Sequence, residues 1–333
     1  MPRITQKDIA RLAGVSQTTV SFVLNDRGEQ LARVPETTRA RILKVIQETG
    51  YVADPVARRL KQVGTGMIGV YTYESLFPLD REDFFHPFLA GIEEEAQNRD
   101  IDLLLLTSGR VGGLQGGLSG GATRLRLADS CILLGQRMPQ KELEFLNASG
   151  FPFVSIGRRD DAGGPVPYVA ADYASVVRDL IGRARSLGHS RFAYAGHGRG
   201  VESYTDRMSG VRAELDDRFL HLVPHEGASP ADWIRRILAE RVTVVLAEQE
   251  EQFVQLQEAA NTAGVPVPDE LSLVSLSGSA DPSGRQTGFE LPRRDMGRRS
   301  VQMLIEGGAE RRDQQLLRCL PVEGASLGPA PTG

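Results

Sequence analysis

Thr5-Gln-Lys-Asp-Ile-Ala-Arg-Leu-Ala-Gly-Val-Ser-Gln-Thr-Thr-Val-Ser-Phe-Val-Leu-Asn25 is the stretch on which the reading of this chain turns. Thr5 stands where it can cap a first helix, with Asp8 as its acidic partner three residues on. Ser16 can cap a second helix that begins at Gln17. Two short helices that cross tightly need small residues at the crossing, which Ala10 and Ala13 supply, and a sharp turn, which Gly14 permits. Ile9, Val15, Val20 and Val23 then form an apolar seam, and Gln17, Thr18, Ser21 and Phe22 face outward from the second helix. Short polar side chains on such a helix suit base edges and phosphates in a major groove. A plain three-helix core would satisfy the same apolar pattern, so the flanking sequence has to decide between the two.

The flanks carry more of the same pattern. An amphipathic helix is expected from about Pro35 to Thr49, with Ile42, Val45 and Ile46 on one face and Gly50 placed to stop it. Tyr51-Val-Ala-Asp-Pro-Val-Ala-Arg-Arg-Leu60 follows, then Lys61 and the breakers Gly64 and Gly66.

With these segments in place the chain resembles the LacI/GalR family of transcriptional regulators over nearly its whole length. The matching residues are Asp8-Ile-Ala, Ala13-Gly-Val-Ser16, Thr19-Val-Ser21, Val23-Leu-Asn25, Thr38-Arg39, Gly50-Tyr51 and Asp54-Pro-Val-Ala-Arg-Arg-Leu60. The resemblance implies an α/β protein in several parts. A three-helix helix-turn-helix DNA-binding domain is expected over residues 1–51 and a hinge helix with its linker over 52–65. A two-lobed, periplasmic-binding-protein-like effector and dimerisation domain with parallel sheets follows over 66–320. It further implies that the hinge folds on DNA and wedges Leu60 into the minor groove. A segment this short is a marginal helix alone, and an apolar wedge offsets base unstacking by the contacts a bent duplex allows. Arg58, Arg59 and Lys61 stand ready for phosphate. The DNA-contacting set is therefore Thr5, Ser16, Gln17, Thr18, Thr19, Ser21, Phe22, Asn25, Arg58 and Leu60.

Charge is distributed accordingly. Residues 1–64 contain 11 Lys or Arg and 6 Asp or Glu, a net +5, whereas the whole chain carries −4, which leaves −9 for the remainder. A basic arm on an acidic body is the footprint of a DNA-binding module, and its binding should weaken steeply with salt. At 333 residues the chain is long enough for more than one domain. Its two cysteines, Cys131 and Cys319, have no metal-ligand spacing and are expected to sit as small apolar residues in a reducing cytoplasm. No apolar run of spanning length and no signal peptide are expected.

From Met67 onward short apolar runs alternate with amphipathic stretches, the pattern of parallel strands joined by helices. Strands are expected at Met67–Tyr71, Ile101–Leu106, Cys131–Leu134, Phe153–Ile156, Phe192–Ala195, Val242–Leu246 and Leu271–Ser275. Helices are expected at Pro87–Asn98, Tyr173–Leu187, Asp206–Leu215, Gln249–Ala263 and Asp295–Ile305. Such a body places its ligand loops at the carboxyl ends of the strands.

The resemblance also proposes effector contacts. Arg207 matches the arginine that relatives aim at effector oxygens, and its planar fork suits vicinal hydroxyls or a carboxylate. The plain alternative is a helix-surface arginine paired with Asp206 or Glu202. His86-Pro87-Phe88 stands where relatives often have Asn-Pro-Phe, so that Phe88 can stack on a sugar face and His86 can hydrogen-bond it. Tyr73, Arg158 and Ser203 occupy loops at strand ends. Asp172 looks like a loop acid of the family, and a helix cap for the stretch from Tyr173 explains it equally well.

Departures bear on specificity. Gln249-Glu250 replaces Asn-Asp after the sixth strand, and Ser277-Gly278 replaces an aspartate pair after the next. Two hydroxyl acceptors are thereby altered, which argues against a common free sugar in the usual geometry and leaves open an unusual, larger or absent effector. Phe22 replaces a polar or basic residue, suggesting contact with a thymine methyl, with packing against the first helix as the alternative. The stretch Asp26–Val34 is longer than usual.

Other motifs carry less. The glycine-dense Gly112–Gly121 lacks dinucleotide-binding spacing and reads as a loop, and His197-Gly-Arg-Gly200 reads as a turn near the ligand loops. There is no P-loop, G-x-S-x-G elbow, HExxH or paired-cysteine motif, so no cofactor, metal site or catalytic constellation is expected. Residues 321–333, rich in Pro, Gly and Ala, are expected to be disordered. The expectation is a non-enzymatic, cytoplasmic, dimeric regulator, most often a repressor, that binds a palindromic double-stranded operator under the control of a small effector, of carbohydrate class. A soluble solute sensor or small-molecule enzyme without DNA binding is the alternative.

Overall fold

The computed structural model of the chain describes residues 4–24, 33–51, 66–72, 74, 84–107, 127–225, 228–278 and 283–331. These fall into two compact units, Met1–Thr65 and Gly66–Gly333.

In the first unit α1 (Gln6–Ala13), α2 (Gln17–Leu24) and α3 (Glu36–Thr49) enclose a small core of Ile9, Ala10, Ala13, Val20, Val23 and Ile42. Thr5 caps α1 through a reciprocal pair: the Asp8 backbone N–H donates to Thr5 Oγ1 (3.4 Å), and the Thr5 backbone N–H donates to Asp8 Oδ2 (3.0 Å). The Thr5 hydroxyl, donating to Asp8 Oδ2 (2.6 Å), and the Thr5 backbone N–H beside it hold the Asp8 carboxyl below its ordinary pKa. Gly14 sits at φ 64°, the left-handed conformation the tight turn requires. The Thr19 N–H donates to Ser16 Oγ (3.1 Å) and caps α2.

The second unit is two parallel sheets with helices packed on them. Its first half runs through β1 (Met67–Thr72), α4 (His86–Gln97), β2 (Asp102–Leu106), β3 (Ser130–Leu134), α5 (Gln140–Ser149), β4 (Phe153–Ile156) and β5 (Tyr168–Ala171). Next come α6 (Tyr173–Ser186), β6 (Phe192–Ala195), α7 (Glu202–Leu215), β7 (Leu220–Leu222), α8 (Pro230–Ala239), β8 (Val244–Ala247), α9 (Glu250–Thr262) and β9 (Ser272–Ser275). The chain closes with β10 (Gly288–Glu290), α10 (Arg293–Ile305), α11 (Gly308–Arg311), β11 (Gln314–Leu317) and β12 (Leu320–Val322).

The first sheet has the order β11-β5-β4-β3-β1-β2 and the second β7-β6-β8-β9, all pairs parallel. Their central strands are buried on both faces, which is why they read as unbroken apolar runs rather than alternating ones. The chain passes from the first sheet to the second after β5, returns through α10 to reach β11, and leaves again to β12, which pairs antiparallel with β10. Lobes joined by several passes share one continuous apolar core, in which Val70, Phe88, Val177, Met208, Val274 and Val301 are members of the same cluster.

Close helix crossings hold the lobes in shape. A Cβ at Gly91 of α4 would collide with the Arg294 backbone of α10, and one at Gly297 of α10 with the Phe88 backbone of α4. At the crossing of α6 and α7, a Cβ at Gly210 would stand 2.6 Å from the Ala174 carbonyl oxygen.

The expected disordered tail at 321–333 is corrected by the structure over the part it describes. Beyond β12, the Gly324 N–H donates to Thr287 Oγ1 (3.1 Å), Ser326 Oγ donates to the Leu273 carbonyl (2.6 Å) and the Gly328 N–H donates to Ser272 Oγ (3.1 Å). The tail thus runs against β9 as backbone. Its small residues are a packing requirement, because a Cβ at Gly324 would meet the Gln286 backbone. His189, buried, completes the attachment: one ring nitrogen lies 3.0 Å from the Gly328 carbonyl and the other 2.9 Å from Thr243 Oγ1.

Candidate functional site

On α2 the side chains opposite the buried Val20 and Val23 are Gln17 and Thr18, both exposed, with Ser21 and Phe22 half-buried beside them. Gln17 is tied back to α1, its Nε2 donating to Gln6 Oε1 (3.3 Å), and Ser16 and Thr19 share a hydroxyl contact of 2.8 Å. Ser16, Thr19 and Thr5 therefore make contacts within the motif itself, while Thr18, Ser21 and Phe22 are not tied to α1 by these hydrogen bonds and lie on the exposed side of α2. Asn25, Arg58, Leu60 and Tyr73 lie outside the described residues, as do the hinge over 52–65 and the glycine-dense 112–121.

The second unit holds a cleft of about 290 Å³ at the carboxyl ends of strands from both sheets. Its lining includes the aromatic side chains Phe84, Phe88, Tyr173 and Tyr204, with the Phe84 and Phe88 ring centroids 5.6 Å apart, interspersed with the polar Arg207, Glu248, Gln249, Glu250 and Ser277. Of the expected effector residues, Phe88, Arg158, Ser203, Arg207, Gln249, Glu250 and Ser277 are brought together here. His86 is exposed at the start of α4 and does not line the cleft. Ser203, expected in a loop, lies in the first turn of α7, which begins earlier than the apolar pattern suggested.

Arg207 is a buried cation rather than a helix-surface one. Its Nε donates to the Leu276 carbonyl (2.6 Å), Nη1 to Ser203 O (3.1 Å) and Nη2 to Ser277 O (3.4 Å). Its guanidinium also stacks 4.2 Å from the Tyr173 ring centroid. The fork is thus fixed onto the end of β9. Ser277 Oγ donates to Glu250 Oε2 (3.2 Å), and Gln286 Nε2 donates to Glu250 Oε1 (2.6 Å). The two altered positions of the sequence reading therefore contact each other.

Three features of the cleft are not anticipated by motif. Glu248 is fully buried at the end of β8 and accepts from Tyr194 Oη (2.5 Å), the His197 N–H (2.8 Å) and the Gly198 N–H (2.8 Å). Burial, reinforced by Glu248, pushes the Tyr194 phenol well above its ordinary pKa. Tyr204 receives a hydrogen bond from Gln249 Nε2 (2.6 Å). The only signal for these two was adjacency, since each neighbours a residue already singled out.

The third feature spans the cleft. Arg158 and Arg159 follow β4 of the first sheet, whereas Glu202 and Asp206 lie one turn apart on α7 of the second lobe. Arg158 Nε donates to both Asp206 oxygens (2.8 and 2.9 Å) and Nη1 to Asp160 (2.6 Å). Arg159 Nη1 lies 3.2 Å from Glu202 Oε2, and Nη2 donates to the Gly135 carbonyl (2.5 Å). Burial alone would lower the Arg158 pKa, but the hydrogen bonds to Asp206 and Asp160 outweigh it and hold the guanidinium above its ordinary value. Asp206 is thereby engaged by Arg158 instead of Arg207. Asp172 caps α6 through the Ser175 N–H (3.1 Å).

A helix-turn-helix unit followed by a two-lobed parallel α/β unit with a closed-in polar cleft defines a ligand-responsive DNA-binding regulator by architecture. The comparisons with known proteins agree. Residues 5–54 match the model of bacterial regulatory proteins of the lacI family, and residues 181–327 match that of the periplasmic binding protein-like domain. The HTH-type transcriptional regulator AglR of Rhizobium meliloti (strain 1021) is 30% identical over 358 aligned positions, covering 98% of this chain and 95% of that protein. The chain belongs to the lacI family and is a helix-turn-helix transcriptional regulator. Among solved structures it is similar to the lac repressor dimer bound to operator and the anti-inducer ONPF. That match has a TM-score of 0.73 and 19% identity over 98% of this chain and 99% of that one. It is also similar to the regulator CelR in complex with cellobiose, with a TM-score of 0.63 and 22% identity over 97% of this chain and 100% of that one. Among the described residues no helix is long and apolar enough to cross a membrane.

Proposed function

We propose that this regulator is a cytoplasmic homodimeric repressor that binds a palindromic operator and is controlled by a carbohydrate-class effector held in the cleft of residues 66–333, without catalysing a reaction. The observation that carries the effector class is the pairing within one cleft of aromatic faces, Phe88 and Tyr204, with the fixed Arg207 fork and the Gln249, Glu250 and Ser277 oxygens and amide. Sugars present an apolar C–H face and a rim of hydroxyls, and a cleft lined by both aromatic and polar side chains matches them. Two identical reading helices related by a twofold axis call for symmetric half-sites. The effector acts to the extent that it binds the DNA-free and DNA-bound states differently.

The test is selection of bound duplexes from random DNA by the full chain, followed by titration of the selected duplex with mono- and disaccharides. A palindrome released by a sugar is the expected result, with affinity falling steeply as salt rises. Absence of any enriched sequence would overturn the operator reading, and a palindrome indifferent to every sugar would overturn the effector class. Thr18→Ala should reduce discrimination between the selected and random duplexes more than it reduces affinity for random DNA.

A further inference from the structure

The two short helices of the first unit share one polar contact that neither the apolar seam nor the caps account for. Gln6 and Gln17 are each the first residue of their helix, Gln6 of α1 directly after the cap Thr5 and Gln17 of α2 directly after Ser16. The hydrogen bonds that start the helices therefore fix both backbones, the Thr5–Asp8 pair at one and the Ser16 hydroxyl at the other, with Gly14 setting the turn between them. Between these two anchored positions Gln17 Nε2 donates to Gln6 Oε1 (3.3 Å).

Gln6 is half-buried and Gln17 is exposed. A single hydrogen bond between neutral groups at a surface adds little to the stability of a fold, because water competes for both partners. Its larger effect is on what the Gln17 amide can offer a base. A glutamine amide has two N–H donors and a carbonyl oxygen. Engaging one N–H with Gln6 leaves Gln17 at most one donor to set beside its oxygen, on the side of α2 opposite the buried Val20 and Val23. In a major groove only adenine sets a donor, N6–H, beside an acceptor, N7. Guanine presents two acceptors and calls for two donors, while cytosine presents a donor and thymine an acceptor. A tethered amide also gives up less orientational freedom on docking than a free one.

We propose that Gln6 is a positioning residue for base readout: by accepting one N–H of the Gln17 amide it turns the other N–H and the carbonyl oxygen toward the groove, so that Gln17 reads an adenine. The proposal rests on the operator reading and is independent of the effector class.

Duplexes are selected from random DNA by the full chain. The unaltered chain, Gln17→Ala, Gln6→Met and Gln6→Glu are then titrated with the selected duplex, with versions in which each adenine in turn is replaced by guanine, and with random DNA. At one adenine the replacement should weaken binding by roughly 5- to 100-fold, the worth of a bidentate pair. Gln17→Ala should remove that penalty and leave the penalties at other positions. Gln6→Met has a side chain of similar length without the acceptor. It should shrink the penalty by about threefold or more and change affinity for random DNA by no more than about twofold. Gln6→Glu still accepts from Gln17, so it should keep the penalty even though its negative charge weakens binding to random DNA. A penalty unchanged in Gln6→Met, or lost in Gln6→Glu, would overturn the positioning role. So would a Gln6→Met protein that loses affinity equally on selected and random DNA. A selected site in which no adenine depends on Gln17 would overturn the proposal and leave the operator reading standing, whereas no enriched sequence would overturn both.

Discussion

Replacing Gly210 by alanine should separate α6 from α7, and the expected size can be worked out. The added Cβ would stand 2.6 Å from the Ala174 carbonyl oxygen, 3.0 Å from Val177 Cβ and 3.1 Å from Ala174 Cα. Carbon–oxygen contacts ordinarily begin near about 3.3 Å, so the helices must part by roughly 0.7 Å. The obstruction is backbone and has no rotamer to yield. Overpacking of this kind costs about 1–3 kcal/mol, with the upper end expected here, and the better helix propensity of alanine returns about 1 kcal/mol. The net is a destabilisation of about 2 kcal/mol, or some 4–8 °C in Tm for a domain of this size.

Gly182→Ala on α6 is the control, because nothing lies within 4 Å of its Cβ position. It should raise stability by about 0.5–1 kcal/mol. Thermal and urea unfolding followed by circular dichroism measure both. Since α7 also carries Glu202, Asp206 and Arg207, Gly210→Ala should weaken effector binding as well. A Gly210→Ala protein as stable as Gly182→Ala would refute the close-crossing argument.

Three further outcomes are expected. Burial lowers the His189 pKa in spite of its bond to Gly328. The unfolded chain therefore binds the proton more readily, and this contribution to stability is present above the ordinary histidine pKa of about 6.5 and lost as pH falls below it. His189→Gln should flatten the urea midpoint between pH 5 and 7.5, and an unchanged slope would exclude the tail attachment as its source. Arg158→Met, Asp206→Asn and the double variant should show a coupling of about 1–2 kcal/mol in a double-mutant cycle, because both side chains are mostly buried; a coupling near zero would mean the ion pair does not hold the lobes. Glu248→Gln turns an amide toward donors that now meet a carboxylate, leaving at least one buried N–H without an acceptor at a cost of about 1–3 kcal/mol. Amide exchange at His197 and Gly198 should accelerate, and unaltered exchange there would count against Glu248 as the anchor of that loop.

Much of the architecture was legible because it rests on local rules. Thr5 with Asp8, Ser16, Gly14 and Gly50 mark helix ends whose partners are within a few residues, and each is found capping or turning as expected. The buried strands were legible as apolar runs, since a strand covered on both faces has no polar side to interrupt the pattern. Short strands such as β7 and β11 were missed. Their three or four residues are placed by neighbours rather than by a period, β11 pairing with β5 across more than a hundred residues of chain.

The site divides in the same way. Arg207, Phe88, Gln249, Glu250 and Ser277, which the sequence singled out because each stands in a recognisable motif, line one cleft. Their partners could not be read, because Arg207 is held by the Leu276 carbonyl at the far end of the same lobe's sheet and Arg158 by Asp206 across the cleft, contacts set by how distant elements and the two lobes come together. Composition misled at the tail, where Pro, Gly and Ala suggested a chain without structure. The same small residues are what allow a backbone to lie directly on β9.

The residue order alone was enough for the helix-turn-helix, the alternating α/β plan and the charge asymmetry between a basic arm and an acidic body, because capping, periodicity and net charge are properties of neighbours along the chain. Which arginine lines the cleft and which bridges the lobes, and that Glu248 is the buried acceptor of the cleft, were decided in three dimensions. There, burial and hydrogen-bond geometry are set by residues brought from distant strands, whose separation in sequence carries no trace of the contact.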